Sequence, residues 1–128
     1  MNVLDEHVPA EQRELLKRRR IPVRQIGRDV GRPGMQDEQI IPLLRRLPHP
    51  TFFTLDSGFY QHRLCSDRYC LVWMDVRDDE AAGFVRRVLR HPRFDTRAKR
   101  MGAGIRVSPR GVRVWRLLVD EESRIDWA

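Results

Sequence analysis

Thr51-Phe52-Phe53-Thr54-Leu55-Asp56 is a short run of aromatic, β-branched and aliphatic residues that shows no alternation of polar and apolar positions and stops on an acid. Tyr69-Cys70-Leu71-Val72-Trp73-Met74-Asp75 repeats the pattern. A strand with one wet face alternates, whereas an unbroken apolar run suits a strand buried on both faces, as in a parallel sheet covered by helices. These two runs therefore predict an α/β fold with a mainly parallel central sheet flanked by helices.

The segments on either side fit that frame. Residues 1–4 read as a short strand running into Asp5-Glu6-His7, and a helix follows, with Pro9 in its first turn and basic residues 17–20 at its negative end. Residues 21–26 read as a second strand, followed by a Gly-rich loop over 27–34. Over residues 36–47, Ile40, Ile41, Leu43, Leu44 and Leu47 follow helical spacing, with Asp37 as the expected N-cap and Glu38 just inside. Pro42 cannot donate to the carbonyl of Glu38, so this helix is expected to bend or to start irregularly. Residues 78–90 form a third amphipathic helix that Pro92 stops, and residues 94–101 add a further turn or two. The C-terminal part alternates around Ser108-Pro109-Arg110-Gly111, the signature of a β-hairpin, and the adjacent apolar pair Val114 and Trp115 hints at a bulge.

With 128 residues there is room for one hydrophobic core and not two, so the whole chain, 1–128, reads as a single domain. Hydrophobic residues make up 41% and charged ones 34%, a mixture that suits a folded globular protein rather than a disordered one. No apolar stretch is long enough to span a bilayer, and the acids near the N-terminus do not suit a signal peptide, so no membrane partner and a cytoplasmic location are expected. Cys65 and Cys70 are too few for a disulfide framework and, with His62, match no zinc-ligand spacing. A net charge of +7, carried mostly by arginine, points toward a polyanionic partner.

Three predicted strands end on an acid: Asp5, Asp56 and Asp75. The carboxyl ends of parallel strands share one rim, where ligands bind in open α/β sheets, and the helix bearing Asp37 and Glu38 starts on that rim too. Each acid has an ordinary reading as a cap or turn residue. Gathered together they would repel, and a hard divalent cation with oxygen ligands, magnesium or manganese, resolves that repulsion.

Asp5-Glu6-His7-Val8-Pro9 closely resembles the D-E-N-L-P opening of the compact PIN-like domains found among bacterial toxin–antitoxin proteins. Asp37-Glu38-Gln39-Ile40 resembles their D-E-E-I helix start, and Thr54-Leu55-Asp56-Ser57-Gly58-Phe59 resembles their T-x-D-x-D-F strand end, in the family's order. The resemblance covers most of the chain. It implies a PIN-like fold related to VapC-type ribonucleases, a Mg- or Mn-dependent endoribonuclease activity, and Asp5, Asp37 and Asp56 as catalytic metal ligands. Glu38 is an alternative ligand, with Glu6, His7 and Asp75 in support. It also implies RNA as substrate, and it admits a small antitoxin protein or a second copy as partner. The chain departs from the pattern at Gly58, where the family usually has a second aspartate, at His7 in place of asparagine, and at Pro42.

Phosphate contacts are expected from Arg24, Arg28, Arg32 and Arg63 if the loops lie over the rim, or from Arg106, Arg113 and Arg116 on a hairpin face. Tyr60, expected nearer solvent than Phe59, is the candidate for stacking on an unpaired base. The rival reading is a catalytically degenerate PIN-like module that binds RNA or a partner protein without cutting. Gly58 and Pro42 favour it.

Overall fold

The computed structural model describes residues 1–127. Its strands are β1 (Asn2–Leu4), β2 (Arg24–Gln25), β3 (Thr51–Thr54), β4 (Cys70–Met74), β5 (Ala103–Ser108), β6 (Gly111–Arg116) and β7 (Val119–Ile125). The helices are α1 (Ala10–Arg18), α2 (Asp37–Arg46), α3 (Ala81–Arg90) and the single turn α4 (Arg97–Arg100), with 3-10 turns at Ser57–Phe59, His62–Leu64 and Asp78–Glu80. All strands form one seven-stranded sheet in the order β2-β1-β3-β4-β5-β6-β7. β2, β1, β3, β4 and β5 run parallel, and β6 and β7 continue the sheet antiparallel.

The chain is thus α/β, and its sheet is mixed. The expected hairpin is no appendage, because β5 pairs in parallel with β4 through Leu71↔Gly104 to Met74↔Val107 before turning into β6. β7 was not expected: Val119-Asp120-Glu121-Glu122-Ser123 lacks an apolar stripe, since an edge strand joined through its backbone needs none and exposed charges keep such an edge from pairing further. The pairing of β6 with β7 shifts register between Val114 and Arg116, where the sequence hints at a bulge. The second strand shrinks from residues 21–26 to Arg24–Gln25, because its partner β1 offers only a three-residue ladder.

Helices cover both faces of the parallel part. On one side α1 and α3 pack Leu16, Phe84, Val85 and Val88 against Leu4, Phe53, Val72, Met74, Ile105 and Val107. On the other, α2 contributes Ile40 and Leu44, which meet Val3, Phe52, Leu71 and Phe59. Odd and even positions of β1, β3 and β4 divide between the two clusters, which is why these runs carry no alternation. Truncating a fully buried side chain such as Leu16 to alanine would cost about 2–5 kcal/mol.

Helix α2 differs from expectation in two ways. Gln36, not Asp37, occupies the N-cap of α2, and its backbone N–H donates to Gln39 Oε1 at 2.9 Å. Asp37 is therefore the first helical residue, with its carboxylate free of the capping role. The helix also continues through Pro42, which is exposed, as is Glu38, so water can serve the carbonyl that Pro42 leaves unpaired.

Candidate functional site

Asp5 follows β1 on the rim formed by the carboxyl ends of the parallel strands and is buried, 6% exposed. A buried carboxylate needs donors, and Asp5 has two: Thr54 Oγ1 donates to Oδ2 at 2.7 Å, and the Glu6 N–H donates to Oδ1 at 2.8 Å. Thr54 ends β3, next to β1, on the same sheet face. Its hydroxyl also accepts the Asp56 N–H at 3.0 Å, so one side chain sets both the orientation of Asp5 and the exit of the chain toward Asp56.

Asp56 caps the 3-10 turn Ser57–Phe59, with Oδ1 accepting the Gly58 N–H at 2.8 Å. Asp37 comes in from the start of α2. A Cβ at Gly58 would lie 3.2 Å from Asp56 Oδ1 and 3.8 Å from Asp37 Oδ2, which locates both carboxylates around that glycine. The Asp37 carboxyl is held above the ordinary carboxylate range, first by the partial desolvation its neighbours impose, then by the charges of Asp56, Asp5 and Glu38. Asp5, Asp37 and Asp56, drawn from three separate segments, therefore sense one another.

An all-oxygen donor set of this kind suits magnesium or manganese better than a softer metal. The Asp37 and Asp56 carboxylates beside Gly58 are of the right donor type for such an ion. Among the described residues, no three His, Cys, Asp or Glu side chains converge closely enough to enclose an ion as they stand. Asp56 and Asp37 lie on exposed segments, so approach by side-chain rotation meets no packed core.

The remaining predicted residues divide. Glu6 turns away from the group, and its Oε1 and Oε2 accept the Gly34 N–H at 3.0 and 3.2 Å, which ties the Gly-rich loop to the rim. Gly27 has φ +86°, a conformation that favours glycine, and a Cβ there would push the Glu6 carboxylate aside. His7 is exposed. Asp75 sits at the end of β4 on the same rim but forms an ion pair with Arg106 Nη2 at 2.8 Å instead of joining the carboxylates.

Arg24, Arg28, Arg32 and Arg63 are all exposed, yet they do not form one patch. The first three lie on β2 and the loop after it, at one edge of the sheet, whereas Arg63 donates to Gln61 Oε1 beside His62, which stacks on Trp115 of β6. Arg28 helps line a cleft of about 510 Å³ between α1 and β2, together with Arg13, Lys17, Arg20 and Asp29; the carboxylate group is not part of it. Tyr60 is more exposed than Phe59, and its hydroxyl donates to Glu122 Oε2 at 2.6 Å.

Sequence reasoning missed the residues that brace the site. Gln25 is buried, and its Nε2 donates to the carbonyls of Asp5, Glu6 and Val8, while its Oε1 accepts from Arg13. Gln12, also buried, accepts the Ala82 N–H at the start of α3 at 2.9 Å. A polar residue between apolar ones gives no periodic signal, and only the position of its partners explains its burial.

Comparison of the chain with protein family models, with characterised proteins and with solved structures finds no match.

Proposed function

We propose that the chain is a Mg- or Mn-dependent endoribonuclease whose site is the rim formed by Asp5, Asp37 and Asp56. The observation that carries this reading is geometric: Asp5 and Asp56, at the ends of β1 and β3, are tied together through Thr54, and Asp37, at the start of α2, faces Asp56 across Gly58. Such an arrangement is costly without a cation, and perturbed carboxylates in a cluster mark candidate functional sites. The resemblance of the three motifs to compact PIN-like domains supports the same assignment, and the PIN-like arrangement itself is part of the proposal.

A bound divalent ion would neutralise phosphate charge and lower the pKa of a coordinated water. The chain's own residues do the rest. Thr54 and the Glu6 N–H hold Asp5 in one orientation. Asp56 is fixed by the Gly58 N–H, and Asp37 and Glu38 enter from the helix start, whose dipole favours phosphate oxygens as well as carboxylates. No nucleophilic side chain is required.

The toxin role and a small antitoxin partner rest on the resemblance alone. The second reading, a non-cutting RNA- or protein-binding module, is favoured by Gly58, which leaves the rim one carboxylate short of the family's pattern. Cleavage of mixed-sequence single-stranded RNA with and without manganese separates the two. The nuclease reading expects metal-dependent cleavage that Asp56→Asn and Asp5→Asn abolish; equal cleavage by parent and both variants, or none under any metal, overturns it.

A further inference from the structure

Beyond the carboxylates the rim continues across β4, β5, β6 and β7, where its chemistry changes sign. Thr54 pairs with Trp73, Trp73 with Arg106, Arg106 with Arg113, and Arg113 with Arg124. Residues directly opposite one another stand on the same sheet face. Since Ile105, Val107, Val112 and Val114 point into the α1–α3 side, the arginine row stands on the opposite face, the one that carries Asp5 and Thr54. That face is covered by α2 over β1, β3 and β4, but β5, β6 and β7 contribute no residue to its core cluster. No helix covers the row: Tyr60 leans over its Trp73 end, Arg106 and Arg113 are half-buried and Arg124 is exposed, in single file at strand spacing, about 5 Å per step.

The guanidiniums are not loosely held. Arg106 lies over the Trp73 ring, 4.8 Å from its centroid, while Asp75 fixes its Nη2. Glu122 stands 3.5 Å from Arg113, and the same Glu122 accepts from Tyr60, so the turn after Asp56 is tied to β7. Arg110 and Arg124 have no ion-pair partner among the described residues, and they line a groove of about 320 Å³ with Arg106 and Arg113; Asp126 is the acid on its wall.

We propose that this row is the track for the phosphates of a single RNA strand running from the carboxylate rim toward β7, with Arg110 and Arg124 supplying the unneutralised charge and Arg106 and Arg113 fixed donors. The proposal rests on the ribonuclease reading. A single file of arginines follows one backbone, and guanidinium forks suit phosphate oxygens. The track begins about two strand spacings, roughly 10 Å, from Thr54, so it would engage nucleotides adjoining the one at the carboxylates.

The test measures affinity for a fluorescent single-stranded RNA across a salt series, without divalent metal, in an Asp56→Asn background that cannot cut. Arg110→Gln with Arg124→Gln is compared with Arg86→Gln plus Arg90→Gln, which removes the same charge from α3 on the other face. The track predicts that the first pair weakens binding several-fold more than the second and lowers the salt slope by about 1.4, two phosphate contacts at ~0.7 each. Equal losses in both pairs, or an unchanged slope, overturn it, and so does preferential binding of a poly-glutamate peptide over RNA. Unchanged melting of each double variant establishes that the fold is intact. Track-dependent binding by a parent that never cuts removes the nuclease reading and leaves the track; cleavage indifferent to Arg110 and Arg124 does the reverse.

Discussion

Thr54 Oγ1 donates to Asp5 Oδ2 at 2.7 Å and accepts the Asp56 N–H at 3.0 Å, so a single hydroxyl couples the ends of β1 and β3. Thr54→Val keeps the shape and removes both bonds. Because Asp5 is buried, it is left short of a donor, and the expected loss is about 1–3 kcal/mol in urea unfolding, with metal-dependent stabilisation weakened as well. Thr54→Ser should recover most of both. A valine variant as stable and as metal-responsive as the parent would show that the hydroxyl orients nothing.

Asp37 gives the metal-free protein a pH dependence of known sign. Its folded-state pKa is raised above the unfolded value, so the folded state holds the proton more tightly. The cost is therefore fully present above the raised value and is relieved as pH falls toward the ordinary value of 3.8. Asp37→Asn should be at least as stable as the parent at neutral pH and should flatten this part of the stability profile. The comparison is one of urea midpoints at neutral and mildly acidic pH; a variant that follows the parent at both contradicts the clustering of charge.

Manganese should stabilise the fold by mass action. At a hundredfold its dissociation constant the gain is about 2.7 kcal/mol, visible as a rise in melting temperature. Asp56→Asn is the cleaner probe, because an amide oxygen can still accept from Gly58, whereas Asp5 is buried between two donors. The variant should melt no lower than the parent without metal and lose most of the manganese response. A full response in the variant would place the ion elsewhere.

Gln25→Leu removes the donor for the Asp5, Glu6 and Val8 carbonyls together with the acceptor for Arg13. Leaving buried carbonyls unpaired costs on the order of 1–3 kcal/mol. Hydrogen exchange over residues 5–8 should accelerate along with the loss of global stability; an unchanged unfolding midpoint and exchange pattern would mean that water replaces Gln25 at no cost.

Burial pushes the Cys70 thiol up to about 12, against the favourable charges of Arg100 and Arg116, and burial raises Cys65 as well. Neither should react with a thiol reagent in the native protein at pH 8, and both should react once it is unfolded. Rapid native-state labelling of Cys70 would contradict the packing of β4.

How much of this was legible in advance differs by element. The runs at β3 and β4, the helices α1 and α3, and the turn at Pro109 and Arg110 follow from periodicity and turn chemistry, which act over a few residues. β7 was not legible, because an exposed edge strand is held by backbone bonds that any side chain permits. The N-cap of α2 was misplaced by one residue, since Gln39 can serve the Gln36 N–H from within the first turn.

The sequence by itself determined that acids end the strands and open the second helix, because those positions depend on local pattern. It also determined the basic balance of the chain and the absence of any long apolar run. Only the tertiary structure decided which acids meet. Asp37 and Asp56 meet around Gly58, with Asp5 linked to Asp56 through Thr54, because β1 and β3 are neighbours and α2 starts over them, while Asp75, at the same rim, is taken by Arg106 from the next strand. Register did the same for Arg106, Arg113 and Arg124, which are scattered in the chain and adjacent in the sheet. Pairing between strands is a long-range choice, made by burying two faces of one sheet at once, and a side chain's partner across the sheet is set by that register and not by its neighbours in the chain.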